Sequence, residues 1–168
     1  TVINPDTAFQ LREAVNPYYD AVPGIVEEYM ARMSALTGRD YRLFNYYGDP
    51  EAEQVVAAMG SVSGCLREVV QYLNQRGRKV GFLQVRLYRP FSASRFLAAL
   101  PESCKLLTVL DRTKEPGASG EPLYKDVCSV LQQGGRQIRV LGGRYGLSSK
   151  DVTPAQMIAV YDNMAGQQ

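Results

Sequence analysis

A chain of 168 residues, 45% hydrophobic and 21% charged, has the size and composition of one globular domain. At this length folding removes roughly 70% of the extended chain's surface, which excludes a disordered or low-complexity class. The formal net charge is +2, with Lys and Arg interleaved among Asp and Glu, so the long-range field is weak and argues against a nucleic-acid partner. No apolar run approaches the roughly 18 residues of a membrane span, and the first residues lack the charged and apolar regions of a signal peptide; the expectation is a cytoplasmic chain with no membrane contact.

In chain order, residues 1–19 carry two Asn-Pro pairs and no sustained period. Pro5 and Pro17 bias the residues before them toward extended backbone, so this stretch reads as a connector from a preceding domain. From residue 20 the chain reads as a single α/β domain. Val22, Ile25, Val26, Tyr29, Met30, Met33 and Leu36 form a helical stripe over 20–38, with Asp20 as N-cap and Gly38 as the stop. The aromatic run 41–48 ends in Gly-Asp-Pro and fits an edge strand.

A regular alternation follows. Strands are expected over 53–60, 79–88, 104–111 and 136–143, and helices over 65–77, 92–100, 121–133 and 153–164. That order implies parallel strands joined by right-handed crossovers. The predicted fold class is α/β, three-layer, a mostly parallel sheet with helices on both faces. The continuous apolar runs VVAAM and LLTVL agree, because interior parallel strands are covered on both sides. Ser92 as a cap, Thr153-Pro154 as cap and first helical residue, and Gly77 as a helix stop mark the boundaries.

The chemistry-bearing residue types are sparse. Cys65, Cys104 and Cys128 lie 39 and 24 positions apart with no CxxC, a pattern of buried free thiols rather than of a disulfide frame, a zinc site or a cluster site. There is no histidine, so the commonest general base and metal ligand is missing, and no Ser-His-Asp arrangement can form. Catalysis by this chain alone would rest on carboxylates, Lys, Tyr or Cys.

In an open parallel sheet, ligands bind beyond the carboxyl ends of the strands. Four loops lie there: 60–64, 88–92, 111–120 and 142–151. The first, GSVSG, offers Gly60, Ser61 and Ser63 as an anion-binding turn at a helix start. It matches neither phosphate-loop fingerprint, and a tight structural turn is the favoured reading. In the third, Asp111, Arg112, Lys114 and Glu115 crowd a strand end before the turn at Pro116-Gly117. In an isolated domain these charges form a solvated rim; inside a larger protein they form a docking surface whose Arg and Lys fork onto carboxylates. The eleven tyrosines, several near element ends, divide evenly between interface and core-edge readings.

The runs NPYYDAVPGIVEEYM, LTGRDYRLFNYYG, VGFLQVRLYRPFS, LTVLDRTKEPGASGEPLYKDV and GGRYGLSSKDVTPAQM closely resemble an internal part of the pyruvate:ferredoxin (flavodoxin) oxidoreductase family. The resemblance covers essentially the whole chain and implies a fragment of a much longer polypeptide. It implies the end of the first thiamine-binding domain followed by a second domain, similar in fold to the carboxyl-terminal domain of transketolase.

The family oxidatively decarboxylates pyruvate with coenzyme A, giving acetyl-CoA and carbon dioxide, and passes electrons to ferredoxin or flavodoxin. It uses thiamine diphosphate, Mg and [4Fe-4S] clusters. None of the family's cluster-binding, metal-diphosphate or substrate-clamping motifs matches a position here, so no catalytic, cofactor-binding or metal residue carries over. The resemblance implies that the isolated chain is inactive and that its partners are other domains of the parent chain and the homodimer partner. The expected role is structural, with Asp111, Arg112, Lys114, Glu115 and Gly117 in a docking loop. The alternative is a coenzyme A or phosphate site in the strand-end crevice. A standalone α/β hydrolase or nucleotide-binding protein is the third reading; the missing histidine and fingerprints count against it.

Overall fold

The computed structural model describes residues 3–167. Two helices open the chain, α1 (Pro5–Glu13) and α2 (Asn16–Thr37). The expected connector is therefore helical from residue 5. Pro5 does follow an extended Asn4 (φ −67, ψ 137), whereas Asn16, before Pro17, is already helical; each proline sits in a first helical turn, where no N–H is needed and the fixed φ suits the helix. Asn4 caps α1 by accepting the Asp6 N–H at 2.9 Å. Asp20 lies inside α2 and is not its cap, whereas Gly38 ends the helix as expected, with φ +68 and its N–H donated to Ser34 O at 2.9 Å.

β1 (Phe44–Gly48) pairs antiparallel with β3 (Val80–Val85). β2 (Gln54–Met59) pairs parallel with both β3 and β4 (Leu106–Asp111), and β5 (Arg139–Arg144) runs parallel to β4. The strand order is β1-β3-β2-β4-β5, so the aromatic run is the antiparallel edge of an otherwise parallel sheet. β2, β3 and β4 are the interior strands and almost wholly buried, which is why their apolar runs lose the alternation of half-exposed strands.

The helices are α3 (Val62–Asn74), α4 (Ala93–Ala99), α5 (Pro122–Gln133) and α6 (Pro154–Ala165). On one face Val55, Ala57, Leu83, Leu107 and Val109 meet Phe96 of α4 and Leu123 and Val127 of α5, with Val26 and Met30 of α2 at the margin. On the other, Val56, Phe82, Leu106 and Leu110 meet Leu66 and Val69 of α3 and Met157 and Tyr161 of α6. Side chains of successive strand residues point to opposite faces, so each interior strand feeds both layers.

The Tyr161 hydroxyl, fully buried in the second layer, donates to Gly81 O at 2.9 Å; a buried phenol needs such a partner. Thr153 and Gln156 form a reciprocal capping box at the start of α6. Ser92 stands at the N-cap of α4 without a capping bond. No helix among the described residues is long and apolar enough to cross a membrane.

Candidate functional site

The chain leaves β2 outward to β3, crosses back past β2 to β4, and continues in that direction to β5. The topological switch point therefore lies between β2 and β4, above their carboxyl ends, where ligands bind in folds of this kind. A cavity of about 340 Å³ opens there, lined by Met59, Gly60, Ser61, Asp111, Arg112 and Tyr145 among others. The loops singled out from sequence, 60–64 and 111–120, meet over it.

Arg112 makes the junction. Its Nη1 donates to Ser61 Oγ at 2.9 Å, and its Nε donates to Gly146 O at 3.0 Å. One guanidinium thereby ties the loops after β2, β4 and β5. Tyr145 reinforces the same three: its N–H donates to Asp111 O at 3.1 Å and its hydroxyl to Met59 O at 2.9 Å. Burial raises the Tyr145 hydroxyl above the usual phenol range, with Arg112 opposing and Asp111 adding.

Asp111 is 1% exposed, so it does not belong to a solvated rim. Its Oδ1 accepts the Leu123 N–H at 3.0 Å and its Oδ2 the Tyr124 N–H at 3.1 Å. α5 has Glu121 at its N-cap with no capping bond of its own, and Asp111 supplies the missing acceptors from the end of β4. Burial pushes the Asp111 carboxyl up, and the two N–H bonds pull it back in part.

Glu121, 4% exposed, is the loop's second anchor. Its Oε1 accepts from Arg144 Nε at 2.5 Å and its Oε2 from the Glu115 N–H at 2.9 Å. Burial opposes its charge, but Arg144, the Glu115 amide and Lys114 outweigh it and hold the carboxyl below the usual range. Between these anchors Glu115-Pro116-Gly117-Ala118 forms a turn with φ +75 at Gly117 and the Ala118 N–H on Glu115 O, the backbone a glycine tolerates after Pro. Lys114, Glu115, Pro116 and Gly117 are exposed.

The expected anion turn is shorter than the sequence suggested. α3 begins at Val62 rather than 65, leaving Gly60 (φ +79) and Ser61 as the turn. Ser63 lies in the first helical turn with its Oγ donated to Gly60 O at 2.8 Å, and Ser61 Oγ is engaged by Arg112.

The site holds no paired nucleophile and base: both Asp111 oxygens are committed to α5, and the tyrosines there are raised, not lowered. Among the described residues no group of three His, Cys, Asp or Glu is placed to hold a metal, and Cys65, Cys104 and Cys128 are free thiols. The donor set fits neither an iron–sulfur cluster nor a metal-bound diphosphate. Sequence reasoning missed the Glu121–Arg144 pair and the capping role of Asp111. The available signal was Glu121-Pro122, a helix start that lacks Ser, Thr, Asp or Asn immediately before its proline.

Residues 52–157 match the model of pyruvate:ferredoxin oxidoreductase core domain II. The pyruvate:ferredoxin oxidoreductase of Moorella thermoacetica is 56% identical over 165 residues, covering 98% of this chain and 14% of that protein. The pyruvate-flavodoxin oxidoreductase of Trichormus variabilis is 54% identical over 168 residues, again 98% and 14%. The probable pyruvate-flavodoxin oxidoreductase of Escherichia coli is 56% identical over 167 residues, 96% and 14%.

A solved structure of 2-oxoglutarate:ferredoxin oxidoreductase from Magnetococcus marinus, with 2-oxoglutarate, coenzyme A and succinyl-CoA bound, superposes with a TM-score of 0.53 at 20% identity, over 77% of this chain and 20% of that one. At that identity the likeness speaks for the three-layer fold. The chain thus spans about one seventh of its curated relatives' length, and it belongs to the pyruvate:ferredoxin oxidoreductase core domain II family.

Proposed function

We propose that this chain is the second core domain of an enzyme that oxidatively decarboxylates pyruvate with coenzyme A to acetyl-CoA and carbon dioxide and delivers the electrons to ferredoxin or flavodoxin. In this reading the thiamine diphosphate, Mg and [4Fe-4S] clusters are held by other parts of the parent polypeptide, since the donor set here fits none of them. The domain itself is a scaffold, and the loop Asp111–Gly120 docks it against neighbouring domains or the dimer partner. One observation carries the docking role: the exposed tip Lys114–Gly117 stands on a base fixed by Asp111, Arg112 and Glu121, so it is presented in one conformation and loses little entropy on binding.

The test is made in the intact enzyme. Lys114→Glu reverses a charge whose Nζ, among the described residues, donates to the neighbouring Glu115 O, and Arg112→Ala frees the base. The reading predicts weakened assembly by sedimentation and reduced pyruvate- and coenzyme A-dependent reduction of ferredoxin or flavodoxin. Assembly, melting and turnover all unchanged in Lys114→Glu would sink it.

A second reading, that the crevice binds part of coenzyme A or another phosphate, is favoured by the 340 Å³ cavity at the switch point with Arg112 at its rim. It predicts instead that Arg112→Ala raises the KM for coenzyme A with assembly intact.

A further inference from the structure

α2 carries two apolar stripes, and the fold uses one. Pro23 is buried, and Val26 and Met30 pack on the sheet layer beside α4. About a quarter turn away, by the 3.6-residue period, lie Tyr18 (76% exposed), Ile25 (52%), Tyr29 (59%), Met33 (49%) and Leu36 (81%). Their spacing of three, four or seven is that of one helix face, and no charged residue falls within it. Asp20, Glu27 and Glu28 lie on the remaining face, where Glu27 pairs with Arg95 and Glu28 with Arg32; Arg32 borders the stripe, its guanidinium 5.1 Å from the centre of the Tyr29 ring.

Between the stripes, Ile25, Val26, Tyr29, Met30, Met33 and Tyr41 line an open apolar groove of about 430 Å³. Scattered exposed apolar residues are ordinary, but a continuous uncharged stripe several turns long beside a groove is the signature of an interface.

We propose that this second stripe of α2 is an intramolecular docking surface, covered in the full-length protein by an uncharged apolar face of the same polypeptide outside these 168 residues. The proposal rests on the reading that the chain is one domain of a longer enzyme. The occupant follows from length: relatives align along 98% of this chain yet are about seven times longer, so most of the parent chain lies outside the structure and is tethered to this surface. A tether makes docking an effectively unimolecular event, which an apolar stripe of this size needs less affinity to satisfy than a free partner would require. A partner of opposite charge would meet Arg32 at the stripe's margin, already paired with Glu28, and no charge along the stripe itself.

The experiment uses the intact enzyme and a thiol-specific alkylating reagent. Leu36→Cys places a thiol on the stripe, and Ala31→Cys places one on the charged side of the same helix. The proposal expects the thiol introduced at position 36 to react at least about tenfold more slowly than that at 31 in the native enzyme, and equally fast once the enzyme is unfolded. Equal native rates would overturn it. Protection that disappears on dilution to monomers would also overturn it, by identifying a second copy as the occupant. The readout needs no turnover: an enzyme that protects position 36 but does not oxidise pyruvate leaves the surface standing and removes the activity.

Discussion

The carboxylate of Asp111, the last residue of β4, accepts the backbone N–H of Leu123 at 3.0 Å and so joins the end of a strand to the start of the helix that follows it. With the second bond to Tyr124, this makes the 111–120 loop a closed handle whose two ends are held by one side chain. Removing that side chain leaves two helix-start donors without partners. Asp111→Ala is expected to destabilise the chain by about 1–3 kcal/mol, the cost of unsatisfied buried donors, measured as the shift of the urea midpoint with an unchanged slope.

Two neighbouring carboxylates are expected to give opposite pH slopes. Burial raises Asp111, so its contribution to stability is fully present below the unfolded value of about 3.9 and is lost as pH rises through the raised folded value. Glu121 is depressed by Arg144, the Glu115 amide and Lys114 against the effect of burial. Its contribution is present above the unfolded value of about 4.3 and lost as pH falls below it.

Melting midpoints from pH 3 to 7, a window spanning about one unit below those unfolded values and more than two above, check the signs. Relative to the wild type, Glu121→Gln loses most of its stability deficit toward the acid end. Asp111→Asn shows its smallest deficit at neutral pH, because the charged form of Asp111 is the one burial penalises. A deficit for Glu121→Gln that stays constant down to pH 3 contradicts the assignment.

Arg112 and Ser61 are 51 positions apart and joined at 2.9 Å. Arg112→Ala also releases Gly146 O, whereas Ser61→Ala removes only the shared bond. Single costs of about 0.5–1.5 kcal/mol are expected, with the larger for Arg112. The double variant should fall short of the sum by about 0.5 kcal/mol or more, since the two side chains are direct partners. Additivity within error would show that the contact contributes nothing measurable to stability.

How far the sequence revealed the molecule follows from how local each determinant is. The runs at 55–59 and 106–110 identified interior parallel strands because burial on both faces erases alternation within a few residues. Thr153-Pro154 identified a helix start for the same reason: the cap and its partner Gln156 are three residues apart.

The helices that begin at Pro5 and Asn16 were not legible, because a proline ends one element or begins the next depending on which side the helix grows. The hydrogen bond from Asp6 to Asn4 decides that locally but leaves no periodic signature. The 111–120 loop was legible as a place and not as a geometry. Its anchors Ser61, Tyr124 and Arg144 are 51, 13 and 23 positions from their partners Arg112, Asp111 and Glu121, and only the assembled sheet brings them together.

Two glycines with positive φ should respond very differently to alanine. Gly48 has φ +130, and a Cβ there would stand 2.4 Å from Val80 O and 2.7 Å from Gly81 Cα, both backbone atoms of the strand it pairs with. Gly77 has φ +82 and nothing within 4 Å. Gly77→Ala pays the left-handed penalty alone, about 1–2 kcal/mol. Gly48→Ala must also displace β1 from β3, and is expected to cost about 4 kcal/mol or more. Parallel melts check the ranking, and equal costs would mean that β1 yields without loss.

The three thiols should separate by reactivity. Burial pushes the Cys104 thiol up to about 11, with Arg136 and the Leu106 backbone opposing, and the residue is 4% exposed. At pH 8 only about one molecule in a thousand then carries the thiolate, which is the reactive form. Burial and then Glu68 raise Cys65 as well, but Cys65 and Cys128 are only half-buried. Alkylation of the native chain at pH 8, followed by mass mapping of its peptides, should modify positions 65 and 128 first and position 104 only at the rate of unfolding. Lowering stability with Asp111→Ala should then accelerate labelling of Cys104 more than that of the other two, because its modification waits on opening of the layer between the sheet and α5. Labelling of Cys104 as fast as that of Cys65 in the unperturbed chain would show that this layer opens far more readily than its packing implies.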